Sequence, residues 1–185
     1  MSWIQMYPSG RLVYFENFTV DDVNIEDIAH HLAFECRYGG GVRKHYSVAE
    51  HSVLVSRNVA YEYRQEALLH DASEAYLKDI TSGLKNMPGM KWYRDVEAHF
   101  QSTIYNRFDI VSTAESEAAV KLADDSIVLD EIKELVVNSQ PYYERRPTLK
   151  PLHAAISGHK NTDAESAFLY RFRQLFPEEH KRLCL

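Results

Sequence analysis

Leu68-Leu69-His70-Asp71-Ala72-Ser73-Glu74-Ala75-Tyr76 sets a histidine and an aspartate side by side in an otherwise apolar helical run. Neighbouring helical residues point about 100° apart, so both side chains can meet one ion only at a helix surface that faces other helices. The remaining partners must come from elsewhere in the chain. His51, flanked by Val48, Leu54 and Val55, lies on the preceding helix, and an antiparallel return over 19 residues brings it beside His70. Asp124, in Val120-Lys121-Leu122-Ala123-Asp124-Asp125, interrupts a third helix whose apolar stripe would otherwise face the core. Two imidazoles and two carboxylates make a borderline-hard donor set suited to one divalent cation: Mn²⁺, Co²⁺, Fe²⁺, Zn²⁺ or, less comfortably, Mg²⁺. The dipeptide alone says less, because a buried His-Asp pair is more often a structural hydrogen bond than part of a metal site.

Outward from this stretch the periodicity is helical. Ile25, Ile28, Ala29, Leu32 and Ala33 form one buried stripe that the triple glycine Gly39-Gly40-Gly41 ends. Arg64 to Leu77 and Met90 to Phe108 carry further stripes, the second through Trp92, Val96, Phe100 and Ile104. Three hydroxyl residues followed three positions later by glutamate, Ser47/Glu50, Ser112/Glu115 and Thr162/Glu165, predict helix starts with capping boxes. At the N-terminus, Trp3 to Tyr7 and Arg11 to Phe18 are β-prone runs separated by the turn Pro8-Ser9-Gly10. Asn138 to Asn161, with Pro141, Pro147, Pro151 and Gly158, reads as an irregular crossover before a last helix around Phe168, Leu169 and Phe172. The expected fold is therefore all-α: a helical bundle of six or more helices with a short N-terminal β-hairpin. It forms one domain over 1–185, with the hairpin in 1–23, the core in 24–137 and the crossover and last helix in 138–185.

With 185 residues, 45% of them hydrophobic, the chain can bury one sizeable core without staples. A net charge of -6 argues against a nucleic-acid polymer as partner, since that binding needs a basic face. Cys36 and Cys184 are too few and too far apart for a disulfide framework or a zinc ribbon, which fits a reducing cytoplasm. The N-terminal residues lack the basic and apolar regions of a secretory signal, and no stretch approaches a membrane span. A soluble protein with no membrane partner is expected.

His51 within Ser-Val-Ala-Glu-His-Ser, then His70-Asp71 with Glu74, then Asp124 after an alanine in a later helix, resembles the H…HD…D signature of HD-domain phosphohydrolases. The likeness runs over about residues 24 to 135 and is similar to small 5′-deoxyribonucleotidases and phage-type HD hydrolases. It implies His51, His70, Asp71 and Asp124 as metal ligands, with His45 the competitor of His51 and Asp125 the competitor of Asp124. It further implies that Glu74 orients or activates the attacking water and that Asp79 acts on the leaving group. Lys85, in the loop Asp79-Ile80-Thr81-Ser82-Gly83-Leu84-Lys85, is implied to bind phosphate, with Thr81 a substrate contact in the same loop. Arg37 and Tyr38 stand where those nucleotidases contact phosphate or sugar and place an aromatic. The activity so implied is hydrolysis of a nucleotide substrate, leading with nucleoside 5′-monophosphates over release of tripolyphosphate from a triphosphate, in a homo-oligomer. A nucleotide-sensing module without hydrolysis is the reading from another class.

Other polar residues have plainer expectations. His30 and His31 read as a solvated face or helix-end partners, and His153 and His159 as surface residues. Glu131, seven residues after Asp124, reads as a partner of Arg37 or a salt bridge at the core edge. Tyr142, Tyr143, Arg145 and Arg146 form an aromatic-basic cluster that closes over a nucleotide or makes a dimer contact.

Overall fold

A computed structural model describes residues 1–179; Cys184 lies outside the described residues. Among these the protein is all-α, with nine α-helices and one two-stranded antiparallel hairpin near the N-terminus. The hairpin pairs β1 (Trp3–Gln5) with β2 (Leu12–Tyr14), Ile4 opposite Val13. Met6 and Val13 are buried, and Ser9 anchors the exposed turn on Asp27 through its backbone N–H (2.9 Å) and its hydroxyl (2.6 Å).

Helix α1 (Ile25–Phe34) starts where Asn24 accepts from the backbone of Glu26 and Asp27, and it buries Ile25, Ile28, Ala29, Leu32 and Ala33 as the stripe predicts. It stops at Glu35, before the triple glycine, because Cys36 pairs in a β-bridge with Ser47. Ser47 then caps α2 (Val48–Arg57), which carries His51. Helix α3 (Arg64–Leu69) and helix α4 (Glu74–Leu77) flank a turn at His70 to Ser73, so the predicted continuous helix is broken at the His-Asp pair. Helix α5 (Ser82–Lys85) is one turn; α6 (Lys91–Arg107) and α7 (Ala114–Leu135) are the two long helices; α8 (Gln140–Glu144) is a short piece within the crossover; and α9 (Asn161–Leu175) closes the described chain.

Two caps differ from expectation. Thr113, not Ser112, begins α7, in a reciprocal box with Ser116, while Ser112 turns its hydroxyl to Glu66 at 2.6 Å. Helix α9 starts at Asn161 after Lys160, leaving Thr162 inside it. On α6 the buried face runs through Tyr93, Phe100 and Ile104, and Trp92 is exposed. Phe18 from the N-terminal segment stacks on Phe100 at 3.9 Å and meets Tyr76 edge-on at 4.9 Å, which ties the hairpin region to α4 and α6. Helix α9 packs on α1, α2 and α3 and contributes Phe168 and Phe172 to the same core. No described helix is long and apolar enough to cross a membrane.

Glu50 explains how the irregular crossover is held. It is 4% exposed, and instead of closing a capping box its carboxylate accepts from the backbone N–H groups of Ser157 (2.9 Å), Gly158 (3.0 Å) and His159 (2.7 Å). Lys44 donates to the carbonyls of Ile156 and Ser157, both at 2.9 Å. Gly158 has φ +65°, and a Cβ there would lie 2.9 Å from the His45 carbonyl oxygen, so the pinned turn needs glycine. Glu50→Ala leaves these donors without their acceptor and should cost about 1–3 kcal/mol. Thermal unfolding followed by circular dichroism should show a midpoint lower by several degrees; an unchanged midpoint would mean the crossover is held by its apolar contacts alone.

Candidate metal centre

The turn between α3 and α4 decides the site. Ala72, Glu74, Ala75 and Tyr76 donate to carbonyls three residues back, which tightens the backbone there. Asp71 thus sits in a turn and Glu74 opens α4, rather than both lying along one regular helix. Helix α2 brings in His51 and α7 brings in Asp124. One ligand atom from each of His51, His70 and Asp124 lies within 4.8 Å of the others. Asp71 Oδ2 joins them, 3.3 Å from His70 Nε2 and 3.6 Å from His51 Nε2, and Asp124 Oδ1 lies 3.2 Å from His51 Nε2.

The competing residues point elsewhere. The His45 ring nitrogen Nε2 lies 3.2 Å from the Ala33 carbonyl, and Asp125 pairs with Lys121 at 2.6 Å. His30 meets Glu165 at 3.0 Å, His31 accepts from the Tyr7 backbone at 3.1 Å, and both His153 and His159 are exposed.

Hydrogen bonding fixes which imidazole nitrogens are free. His70 Nδ1 faces the Ala67 carbonyl at 2.9 Å; a carbonyl can only accept, so Nδ1 carries the proton. His51 Nδ1 donates to the fully buried Glu131 carboxylate at 2.6 Å. Both Nε2 atoms are buried and lack a hydrogen-bond partner, although they face one another and two carboxylates. Buried polar atoms are rarely left so. Buried imidazole nitrogens with carboxylate neighbours fit a divalent cation, and His51, His70 and Asp124 can hold one.

The carboxylates are prepared for the same task. Burial pushes Asp71 up, but His70 and His51 outweigh it and hold the carboxyl well below the usual range. Asp124 likewise stays ionised against burial through His51, His70 and Arg37. For His51, burial and Arg37 oppose protonation, yet Glu131 and Asp124 prevail and push the ring up to about 9. A cation at Nε2 replaces that proton, since only the neutral ring ligates.

Glu131 collects further donors. The Tyr38 hydroxyl donates to it at 2.5 Å and Arg37 Nε lies 3.5 Å away, while the other end of Arg37 reaches Asp71 at 3.3 Å. Tyr38 adopts a left-handed backbone, φ 61° and ψ 23°, which is costly for a residue with a Cβ. Its hydroxyl bond to Glu131 holds the turn in that form.

No family model matches the chain. Over 143 residues it is 34% identical to the uncharacterized protein YfdR of Escherichia coli (strain K12), covering 77% of this chain and 78% of YfdR. The chain belongs to the YfdR family. It is also 37% identical over 134 residues to the uncharacterized protein RCAP_rcc00048 of Rhodobacter capsulatus, covering 66% of this chain and 67% of that one.

In this YfdR-family chain the two aspartates of the candidate metal group, Asp71 and Asp124, line a cavity of about 790 Å³ together with Glu74, Asp79, Thr81 and Lys85. Glu74 is 6% exposed and its Oε2 has no partner; burial, then Asp71 and Asp79, push its carboxyl well up. Asp79 is raised by burial first, against Arg37, with Asp71 adding to the rise. Lys85 is steadied by Glu97 at 2.7 Å and lies 3.8 Å from Glu74. Sequence reading missed Glu97, although its place between Tyr93 and Phe100 on the inward face of α6 marks it as an acid pointing at the core. Nothing local signals Lys121, which lines the cavity and pairs with both Asp124 and Asp125.

Proposed function

We propose that this protein is a metal-dependent phosphohydrolase of the HD type that acts on nucleotides, with (deoxy)nucleoside 5′-monophosphates as leading substrates. The observation that carries the reading is the pair of buried, unpartnered Nε2 atoms of His51 and His70, set against two ionised carboxylates in the wall of a cavity. His51, His70, Asp71 and Asp124 would hold the cation. When bound, a divalent cation lowers the pKa of water and neutralises a phosphate oxygen.

The remaining work falls to this chain's own side chains. Glu74 orients or activates the attacking water, the latter in the ionised form that a cation bound beside Asp71 would favour. Asp79 gives a proton to the departing oxygen, a role that suits a carboxyl raised by burial. Lys85, Arg37 and Thr81 offset and position charge on the phosphate. Tyr38 sits beside Arg37 on a strained turn that lines the same cavity and would contact the substrate there. The unpartnered Glu74 oxygen favours an enzyme over a sensing module, because binding alone has no use for a buried acid. Triphosphate hydrolysis is a second reading, favoured by Arg145 and Arg146 in the cavity wall.

The test is a panel of nucleotides incubated with the purified protein and each of several divalent metals, scoring inorganic phosphate and tripolyphosphate. Phosphate from monophosphates is the expected product, and tripolyphosphate would move the bond that is cleaved. Metal and nucleotide binding without hydrolysis of any substrate would leave the sensing module.

A further inference from the structure

Helix α8 and the two arginines that follow it border the cavity without a part in the monophosphate chemistry proposed above. The Tyr143 hydroxyl donates to the Leu129 carbonyl at 3.2 Å and fastens α8 to α7. Tyr142 packs edge-on to Tyr38 with ring centroids 6.2 Å apart, so the helix abuts the turn that carries Arg37. Tyr142, Arg145 and Arg146 line the cavity shared by Asp71, Glu74 and Lys85.

The cations of this cavity differ in how far they are already neutralised. Arg37 lies between Asp71 and Glu131, and Lys85 between Glu97 and Glu74. Among the described residues Arg146 pairs with Asp125 alone, at 3.9 Å, and Lys121 already holds that carboxylate at 2.6 Å. The Arg145 guanidinium makes no ion pair among the described residues. Arg145 is exposed and Arg146 half-buried, so two guanidinium groups with little paired charge border a cavity larger than one phosphate group needs. A guanidinium presents a planar fork that matches two phosphate oxygens.

We infer that Arg145 and Arg146 form a second anion subsite, which binds a phosphate group of the nucleotide other than the one hydrolysed. The inference rests on the nucleotide-hydrolase reading above and, within it, moves the preferred substrate from a monophosphate, which is still turned over, to a nucleotide with at least two phosphate groups. The second group is either the next phosphate on the 5′ chain or a phosphate on the 3′ position of the sugar. Tyr143 holds α8, and with it the pair, against α7 at the edge of the cavity.

The experiment compares kcat/KM of the metal-loaded protein for a nucleoside 5′-monophosphate, the 5′-diphosphate and the 3′,5′-bisphosphate of one base. It uses the natural chain and the double variant Arg145→Gln/Arg146→Gln. The natural chain is expected to favour one doubly phosphorylated substrate, and the variant to cut that preference at least tenfold, chiefly through KM. Whichever substrate loses most names the source of the second phosphate. Equal losses on all three, or no preference in the natural chain, overturn the subsite. Calorimetric titration of the metal-free protein with inorganic pyrophosphate supplies a readout independent of turnover. Arginine-dependent pyrophosphate binding without hydrolysis of any nucleotide sinks the hydrolase and keeps the subsite; binding unaffected by the double variant sinks the subsite and leaves the hydrolase.

Discussion

Glu74→Gln is expected to keep the cation and lose about 10²- to 10⁴-fold in kcat, the range by which a positioned general acid or base accelerates a reaction. The substitution is close to isosteric, and glutamine imitates the uncharged carboxyl that burial, Asp71 and Asp79 favour in the metal-free protein. Folding should therefore be little affected. None of the close contacts among His51, His70, Asp71 and Asp124 passes through Glu74, so metal affinity should stay within a few-fold. Calorimetric titration with Mn²⁺ or Co²⁺ and steady-state phosphate release separate the two quantities. A variant with near-normal kcat would remove Glu74 from the chemistry. A variant that loses the metal would make it a ligand. Asp79 should then become the only raised carboxyl available in the cavity wall.

Helices were readable in the sequence where their stability comes from one apolar stripe. Ile25, Ile28, Ala29, Leu32 and Ala33 alternate at the helical period and are all buried, because α1 is covered by α2, α4 and α9 along a single face. On α6 the same rule misplaced an aromatic: Trp92 and Tyr93 are neighbours, and the axis of the helix turns Tyr93 toward the Leu77 and Lys78 carbonyls while Trp92 stays outside. Periodicity alone does not choose between two adjacent rings. The cap of α7 slipped by one residue for a similar reason, since Ser112 and Thr113 are both hydroxyls and Glu66, 46 residues away, takes the first.

The site was legible in part through residue types at particular spacings, and its geometry was not. A regular helix over Arg64 to Leu77 sets His70 and Asp71 about 100° apart, and it is the tight turn that swings Asp71 to within 3.3 Å of the His70 Nε2 atom. That turn has no proline or glycine to announce it. Glu131 could be suspected as an acid on the same face of α7 as Asp124, but its main partner His51 is 80 residues away and Tyr38 is 93 away. Its role is set by packing, which a single sequence does not display. Arg145 and Arg146 were visible as a basic pair, while their place beside the cavity depends on the docking of α8 on Leu129.

Glu131→Ala is expected to weaken metal binding by about 10- to 100-fold, the usual effect of removing a partner that orients a ligating histidine. Glu131 has no solvent exposure and meets three groups that need it: the His51 ring at 2.6 Å, the Tyr38 hydroxyl at 2.5 Å and Arg37 at 3.5 Å. Without the carboxylate, His51 Nδ1 loses its acceptor, so nothing holds the tautomer that leaves Nε2 free for a cation. Arg37, with a side chain 13% exposed, keeps Asp71 and the field of Asp124 but loses its Glu131 counter-charge, and a buried pair broken on one side costs about 3–5 kcal/mol. Glu131→Gln separates these effects. Its amide oxygen can still accept from His51 Nδ1, which should restore much of the metal affinity, but it brings no charge to Arg37, so most of the stability loss should remain. Metal titration and denaturant unfolding of both variants give four numbers. If alanine and glutamine lower metal affinity equally, Glu131 acts through its charge on Arg37 and not by orienting His51; if neither changes it, the imidazole is held by the packing of α2 alone.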